Sequence, residues 1–335
     1  MARVVLVTGV SGYLGARVAA ALQDHPEVER VVGVDSVTPE HSLGRAEFVR
    51  VGLHDDSVAA AVQDSGADTV LHLRLTVAPA AGGRGRGAGN SVLGTMQVLT
   101  ACQRSDTVRR LVVRSTTAVR DCAHEAGQAA REAAGARERK AARAHLREAA
   151  EAAKAERYVR GLARRRPDLS IAVLRFADLV GPSVDSPLTR YLGRRLVPVL
   201  RGHDPRMQFL HEDDGVEVIR RMALVDRDGV FDVAAPGAVP LSHCLRRAGR
   251  SVVLPVPAPG LRVLGSLVGR GRAGYSPELL RQWGASRLLD CNEVQRVLDW
   301  APTYTSQEAF DSYVAGYAPR AVSRARRRRR PLRSA

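Results

Sequence analysis

Thr8-Gly9-Val10-Ser11-Gly12-Tyr13-Leu14-Gly15 follows the apolar run Val4-Val5-Leu6-Val7 and leads into an alanine-rich amphipathic segment, Ala16 to Gln23. The order is strand, tight turn, helix. In such a turn the first glycine takes a backbone angle that a Cβ forbids, the second lets the main chain approach a pyrophosphate, and the third lets the helix pack closely on the strand. Free N–H groups and the positive end of the helix dipole then face the phosphates.

Val31-Val32-Gly33-Val34-Asp35 reads as a second strand that ends in an acid, about 20 residues after the turn, where a dinucleotide fold places the group that accepts the adenosine ribose hydroxyls. A carboxylate there repels a 2′-phosphate, so NAD is favoured over NADP.

The chain has 335 residues and a net charge of +16, enough length for a dinucleotide domain with a smaller appended lobe. It contains no run of about 18 uninterrupted apolar residues, so no transmembrane helix is expected. The first strand begins three residues in, which leaves no room for a signal peptide. Cys102, Cys122, Cys244 and Cys291 are scattered without a C-x-x-C pair, which points to reduced cytoplasmic thiols and no zinc site. Eight arginines lie between Arg320 and Arg333, while Lys140 and Lys154 are the only lysines. Arginine usage of this kind, with abundant Ala, Gly and Val, reflects a GC-rich coding bias as much as a partner. The arginine tail lacks interleaved aromatics for base stacking, so it reads as a disordered end. Attraction of a polyanion to that block of charge is the competing reading.

Further along, Glu47 to Val51 reads as a third strand, Asp55 to Gln63 as a helix capped by its acids, and Asp68 to Leu73 as a buried fourth strand. Arg74 to Gly89 breaks the pattern with a glycine-rich core expected to be a loop. Asn90 to Gln103 is a helix, and Val108 to Val113 a fifth strand ending in Ser115-Thr116-Thr117. Glu125 to Arg166 is rich in Ala, Glu and Arg and reads mostly as helix; Leu169 to Leu174 is a sixth strand. Strands alternating with helices at this spacing define an α/β chain with a Rossmann-type doubly wound parallel sheet. The expected division is a Rossmann domain over 1–176, with 230–234 as a further strand, a smaller C-terminal substrate lobe over 177–318, and the tail over 319–335. His211-Glu212-Asp213-Asp214 reads as acids at the start of a helix, Val216 to Leu224, because adjacent residues point different ways and no second ligand group has matching spacing. No metal is expected. Arg246 to Val268, broken by prolines, should pack against the lobe.

With these stretches placed, the chain resembles the extended short-chain dehydrogenase/reductase family, in its NAD-dependent sugar epimerase/dehydratase branch, over roughly residues 3 to 318. Thr8 to Gly15 matches the family's T-G-x-x-G-x-x-G; Asn90 to Thr95 with Val98 to Ala101 resembles its N-x-x-G-T…V-L-x-A helix; Leu174-Arg175 through Gly181-Pro182 and His211 to Asp214 resemble two later segments. The resemblance implies NAD held by Thr8, Gly9, Ser11, Gly12, Tyr13, Leu14, Gly15, Asp35, Leu53, Leu73 and Asn90, with Thr116 steadying a substrate oxygen. It also implies a small-molecule substrate such as a nucleotide sugar or carbonyl compound, and a homodimer as in many relatives; no nucleic-acid partner is expected.

The departures concern catalysis. The family passes its proton through a tyrosine whose pKa is lowered by a lysine four residues later, the two sharing one helix face. None of the seven tyrosines, at 13, 158, 191, 275, 304, 313 and 317, has a lysine at that spacing. Aligned back from Tyr158-Val159-Arg160-Gly161, the pair falls near Leu146 and Ala150, neither of which can transfer a proton. Arg120 stands where a tyrosine usually follows Thr116, Gly52 where an adenine-contacting acid is expected, and Arg74 where a small residue follows His72-Leu73. Two functions follow from the residues: an epimerase, dehydratase or oxidoreductase with an unconventional acid/base, for which His124 and His145 are candidates, or a non-catalytic NAD-sensing or scaffold protein.

Overall fold

The computed structural model describes residues 3–52, 56–73, 87–120, 136–193, 196–249, 252–256 and 288–316. Seven strands form its main sheet: β1 (Arg3–Thr8), β2 (Val28–Asp35), β3 (Glu47–Arg50), β4 (Thr69–His72), β5 (Arg110–Thr116), β6 (Ser170–Phe176) and β11 (Gly229–Val233). Their spatial order is β11-β6-β5-β4-β1-β2-β3, and every neighbouring pair is parallel. The chain runs outward from β1 to β3, then crosses back to β4 on the other side of β1. The order therefore reverses between β1 and β4, and a doubly wound sheet opens its ligand crevice at the carboxyl ends of such strands.

The valine-rich strands are buried on both faces because helices cover both. Val5 and Val7 of β1 join one core with Val18 and Leu22 of α1 (Tyr13–Leu22). Leu6, between them, joins the opposite core with Val58 and Val62 of α2 (Ser57–Ser65), Val98 and Leu99 of α3 (Gly87–Arg104) and Val159 and Leu162 of α4 (Ala136–Arg165). The alternation is that of successive strand residues pointing to opposite faces. Arg166 ties the far end of these helices together: its guanidinium donates to the carbonyls of Cys102, Gln103 and Ser105 at 3.0, 3.1 and 3.0 Å, a cation at the carboxyl end of α3.

The lobe is built from short pairs and helices. β7 (Asp178–Val180) lies beside β10 (Phe209–His211), β8 (Leu196–Leu200) beside β13 (Val252–Val256), and β9 (Arg206–Met207) beside β12 (Val239–Pro240). With α5 (Pro187–Leu192), α7 (Leu241–Ala248) and a helix over 306–316 they enclose a third core, in which Phe209 stacks on Phe310 with ring centroids 5.5 Å apart.

Several boundaries differ from the sequence expectation. Helix α1 begins at Tyr13, inside the glycine turn, and α3 begins at Gly87, before Asn90. Strand β3 stops at Arg50 and β4 at His72, while β5 runs on to Thr116 and β6 to Phe176. At the start of α2, Asp56 makes no side-chain cap bond and the Ser57 hydroxyl accepts the Gly52 amide at 2.8 Å; Asp55 lies outside the described residues. The helix expected from Glu125 is described from Ala136; residues 121–135, with Cys122 and His124, lie outside the described residues, as do the loop at 74–86 and the tail. Cys102, Cys244 and Cys291 are buried, and burial pushes the Cys102 and Cys244 thiols up to about 12.

The acidic run opens a helix, as expected, but four residues earlier. Helix α6 (Glu212–Met222) starts directly after β10 because His211 caps it, Nδ1 accepting the Asp213 amide at 3.2 Å. Each neighbour then binds a different piece of chain. Glu212 accepts the Ser183 amide, Asp213 pairs with Arg17 of α1, and buried Asp214 accepts the amides of Thr303 and Tyr304 at 2.9 and 3.2 Å. His211 itself is buried, stacks on Tyr304 at 3.8 Å and meets the Ser312 hydroxyl at 3.1 Å. The run is an assembly node for the sheet, α1 and the C-terminal segment. Replacing Asp214 by Ala leaves two amides without their charged acceptor, and denaturant titration should show a stability loss of about 2–4 kcal/mol.

Candidate functional site

The carboxyl ends of β1, β2 and β4 surround the glycine turn. Gly9 has φ +82°, where a side chain is strained; its amide donates to Val34 O at 3.0 Å, and the Gly12 amide donates to Gly9 O at 3.1 Å. A Cβ on Gly15 would fall 2.3 Å from Gly9 O, so this glycine is required for α1 to pack against the turn. Gly12 differs. A Cβ there would meet only Gly9 O, at 3.4 Å, an ordinary contact. The chain's own packing does not demand glycine at 12. Gly12 is also the N-cap of α1, with no acid in the helix's first turn, so unpaired first-turn amides and the positive dipole end are left for an anion. Thr8, Gly9, Ser11, Gly12, Tyr13, Leu14 and Gly15 are thus brought together as one cradle, and these residues fit a dinucleotide's phosphates.

Asp35 closes the cradle from β2. It is buried, and its Oδ2 accepts both the Ser11 amide at 2.9 Å and the Ser11 hydroxyl at 2.6 Å, while Oδ1 accepts the Ser36 amide at 2.7 Å. The clamp was readable only in part: Asp35 is marked by its strand end, whereas Ser11, 24 residues earlier, is marked by nothing but its hydroxyl.

Behind the turn, Thr8 Oγ1 lies 2.8 Å from His72 Nδ1, and His72 Nε2 lies 3.0 Å from Thr95 Oγ1, all three residues buried. This chain of bonds joins β1, β4 and α3 at the switch point; spacing alone gave no sign of it. Leu73 is buried beside His72. Asn90 lies in the first turns of α3, and Leu53 lies outside the described residues.

Thr116 ends β5, and its Oγ1 accepts the Ala118 amide at 3.3 Å, which starts the 3-10 turn Thr117–Arg120. Just before it, the buried Ser115 hydroxyl donates to Glu156 Oε1 at 2.7 Å. Glu156 of α4 is 1% exposed and takes a bidentate pair from Arg175 of β6, at 2.9 and 2.6 Å. Hydrogen bonding to Glu156 raises the Arg175 guanidinium, against the lowering effect of burial. This three-residue tie fixes the rotation of the C-terminal half of α4. Ala150, assigned the lysine position, is exposed, whereas Ala152, Ala155, Glu156, Val159 and Leu162 are buried. The alanine-rich segment carries no register mark of its own, so its rotation comes from these packed contacts. His145 lies on α4.

On the other side of the turn, Arg17 donates to the Tyr13 hydroxyl at 2.8 Å and pairs with Asp213, joining the cradle to α6. Among the described residues no group of three or more His, Cys, Asp or Glu side chains could hold a metal ion. No described helix is long and apolar enough to cross a membrane.

The model of the NAD dependent epimerase/dehydratase family matches residues 5–234, and the chain belongs to that family. It is 36% identical over 324 residues to an uncharacterized protein of Mycobacterium tuberculosis, an alignment covering 94% of this chain and 84% of the relative, and equally to one of Mycobacterium bovis. Among solved structures, a UDP-galactose 4-epimerase superposes with TM-score 0.66 at 19% identity, covering 95% of this chain and 99% of the other. The protein MoeE5 in complex with UDP-glucose and NAD gives 0.65 at 18%, with the same coverage. A Bacillus cereus UDP-glucuronic acid 4-epimerase in complex with UDP-glucuronic acid and NAD gives 0.65 at 16%, covering 94% and 99%. These likenesses establish the fold, a doubly wound sheet with an appended lobe.

The two glycines give a paired test. Gly12→Ala should leave the unliganded protein's Tm unchanged and weaken dinucleotide binding at least about tenfold, read by calorimetry. Gly15→Ala should lower the Tm by several degrees, the Cβ forcing α1 away from the turn.

Proposed function

We propose that this chain binds NAD in the Gly9–Gly15 cradle and acts on a nucleotide sugar or related carbonyl compound, by an acid/base group other than the family's tyrosine and lysine. The single observation that carries the reading is the geometry at Gly12: an open, uncapped helix start, clamped to a buried Asp35, that the protein's own packing does not require. The bound dinucleotide would supply a hydride acceptor. The chain's part is to hold the phosphates on the amides of the α1 first turn, to hold the adenosine ribose at Asp35, and to steady a substrate oxygen at Thr116.

A second reading has its own observation. No tyrosine in the chain has a lysine four residues later, which favours a protein that keeps the cofactor fold for sensing or scaffolding and no longer reacts. The two readings share the cofactor and differ in turnover. Isothermal titration with NAD and NADP should give tighter binding of NAD by about tenfold or more, because the 2′-phosphate would meet the Asp35 carboxylate. Incubation with NAD and a panel of UDP-glucose, UDP-galactose and UDP-glucuronic acid, followed by product chromatography, then decides. Turnover supports the first reading, and binding without turnover supports the second. If neither cofactor binds, both readings fail.

A further inference from the structure

The tie between Ser115, Glu156 and Arg175 fixes which residues of α4 stand on the sheet-facing side. At about 100° per residue, the buried positions Ala152, Ala155, Glu156, Val159 and Leu162 span one sector of the helix. The helical period of about 3.6 residues, counted back from these described positions, assigns 148 and 145 to that sector and excludes 146 and 150. Helix α4 runs antiparallel to the strands it covers, with Glu156 level with Ser115, one residue short of the end of β5. Position 152 is therefore about 6 Å and position 148 about 12 Å further toward the crevice, at a rise of about 1.5 Å per residue. Positions 148 and 152 are four apart on one face, the relation that an acid/base group and its partner require. Their occupants are Glu148 and Ala152.

We infer that Glu148 occupies the proton-transfer position of this site, a carboxylate in place of the phenol, with Ala152 in place of the cation. The inference rests on the proposed NAD reading. The second charged residue of the same face, Glu156, is already committed to Arg175 and Ser115. His145 lies on this face too, but about 4.5 Å further from the strand ends. In the step this implies, Glu148 takes the proton of a substrate hydroxyl while the hydride of the adjacent C–H bond passes to NAD, so that the alcohol is oxidised to a ketone and NAD is reduced. Return of both restores the alcohol. Exchanging a cation for an anion at this end of the helix also reverses the local charge. An anion near the nicotinamide favours the cationic ring of NAD over the neutral ring of NADH.

The test uses the full chain and has a binding arm and a chemical arm. In the wild type, NAD should bind more tightly than NADH. Glu148→Gln should weaken NAD about 3–10-fold with NADH little changed, the Tm staying constant. In the chemical arm, with NAD and UDP-glucose as the probe, NADH absorbance and UDP-galactose are followed. Glu148→Gln should lose at least about 100-fold of any wild-type signal. The paired variant Glu148→Tyr/Ala152→Lys, which rebuilds the family's pair in this register, should show turnover, and Leu146→Tyr/Ala150→Lys should not. An unmoved NAD-to-NADH ratio in Glu148→Gln, or rescue by the 146/150 pair instead, overturns the assignment while leaving NAD binding intact; a loss in His145→Gln in place of Glu148→Gln moves it to His145. If the wild type binds neither cofactor, the NAD reading fails and this inference falls with it.

Discussion

Gly15 approaches the carbonyl of Gly9 so closely that a single added carbon would sit 2.3 Å from its oxygen. That approach lets α1 start immediately at the end of β1 and aims its amino end at the switch point between β1 and β4. From it follow the outward-facing first-turn amides, the place of Gly12, and the reach of Asp35 to Ser11. Two glycines of one turn thus do different work. Gly15 answers to the protein's own packing, whereas a side-chain carbon at Gly12 would make only an ordinary contact with Gly9 O.

Carboxylates are the second organising device. Asp35 holds the turn, Glu156 holds β5 and β6 to α4, and Glu212, Asp213 and Asp214 hold three separate segments at the start of α6. Each accepts from a donor far away in the chain, and each sits near the crevice end of the sheet. Buried acids with their partners in place specify an arrangement more than they add net stability. Removing one partner is costly, because the remaining charge or amide loses its only compensation. The same device fixes the rotation of α4 against β5 and β6.

How much of this could be read beforehand depends on range. The strand, turn and helix from Val4 to Gln23, the acid at Asp35, and the alternation through β6 were legible because periodicity and turn chemistry act over a few residues. The acidic run at 211–214 was legible as a helix start for the same reason, its dipole favouring acids there. The contacts that make that run a node were not, since Arg17 is 196 residues from Asp213 and Thr303 is 89 residues from Asp214. Helix α4 shows the limit most clearly. Alanine, glutamate and arginine declare a helix, but a sequence so uniform does not declare its rotation, and a shift of two residues moves a position from the buried face to solvent.

The amino-acid sequence by itself determined the parallel sheet, the glycine turn with its acid, and the absence of any tyrosine followed by a lysine four residues later, because each is a matter of residue type and local spacing. Only the tertiary structure decided that Asp35 holds the turn through Ser11, that His72 links Thr8 to Thr95, and that Ala152, Ala155 and Glu156 stand on the buried face of α4. Those facts depend on Ser115 and Arg175 meeting Glu156 across 41 and 19 residues, and such meetings exist only once the chain is packed.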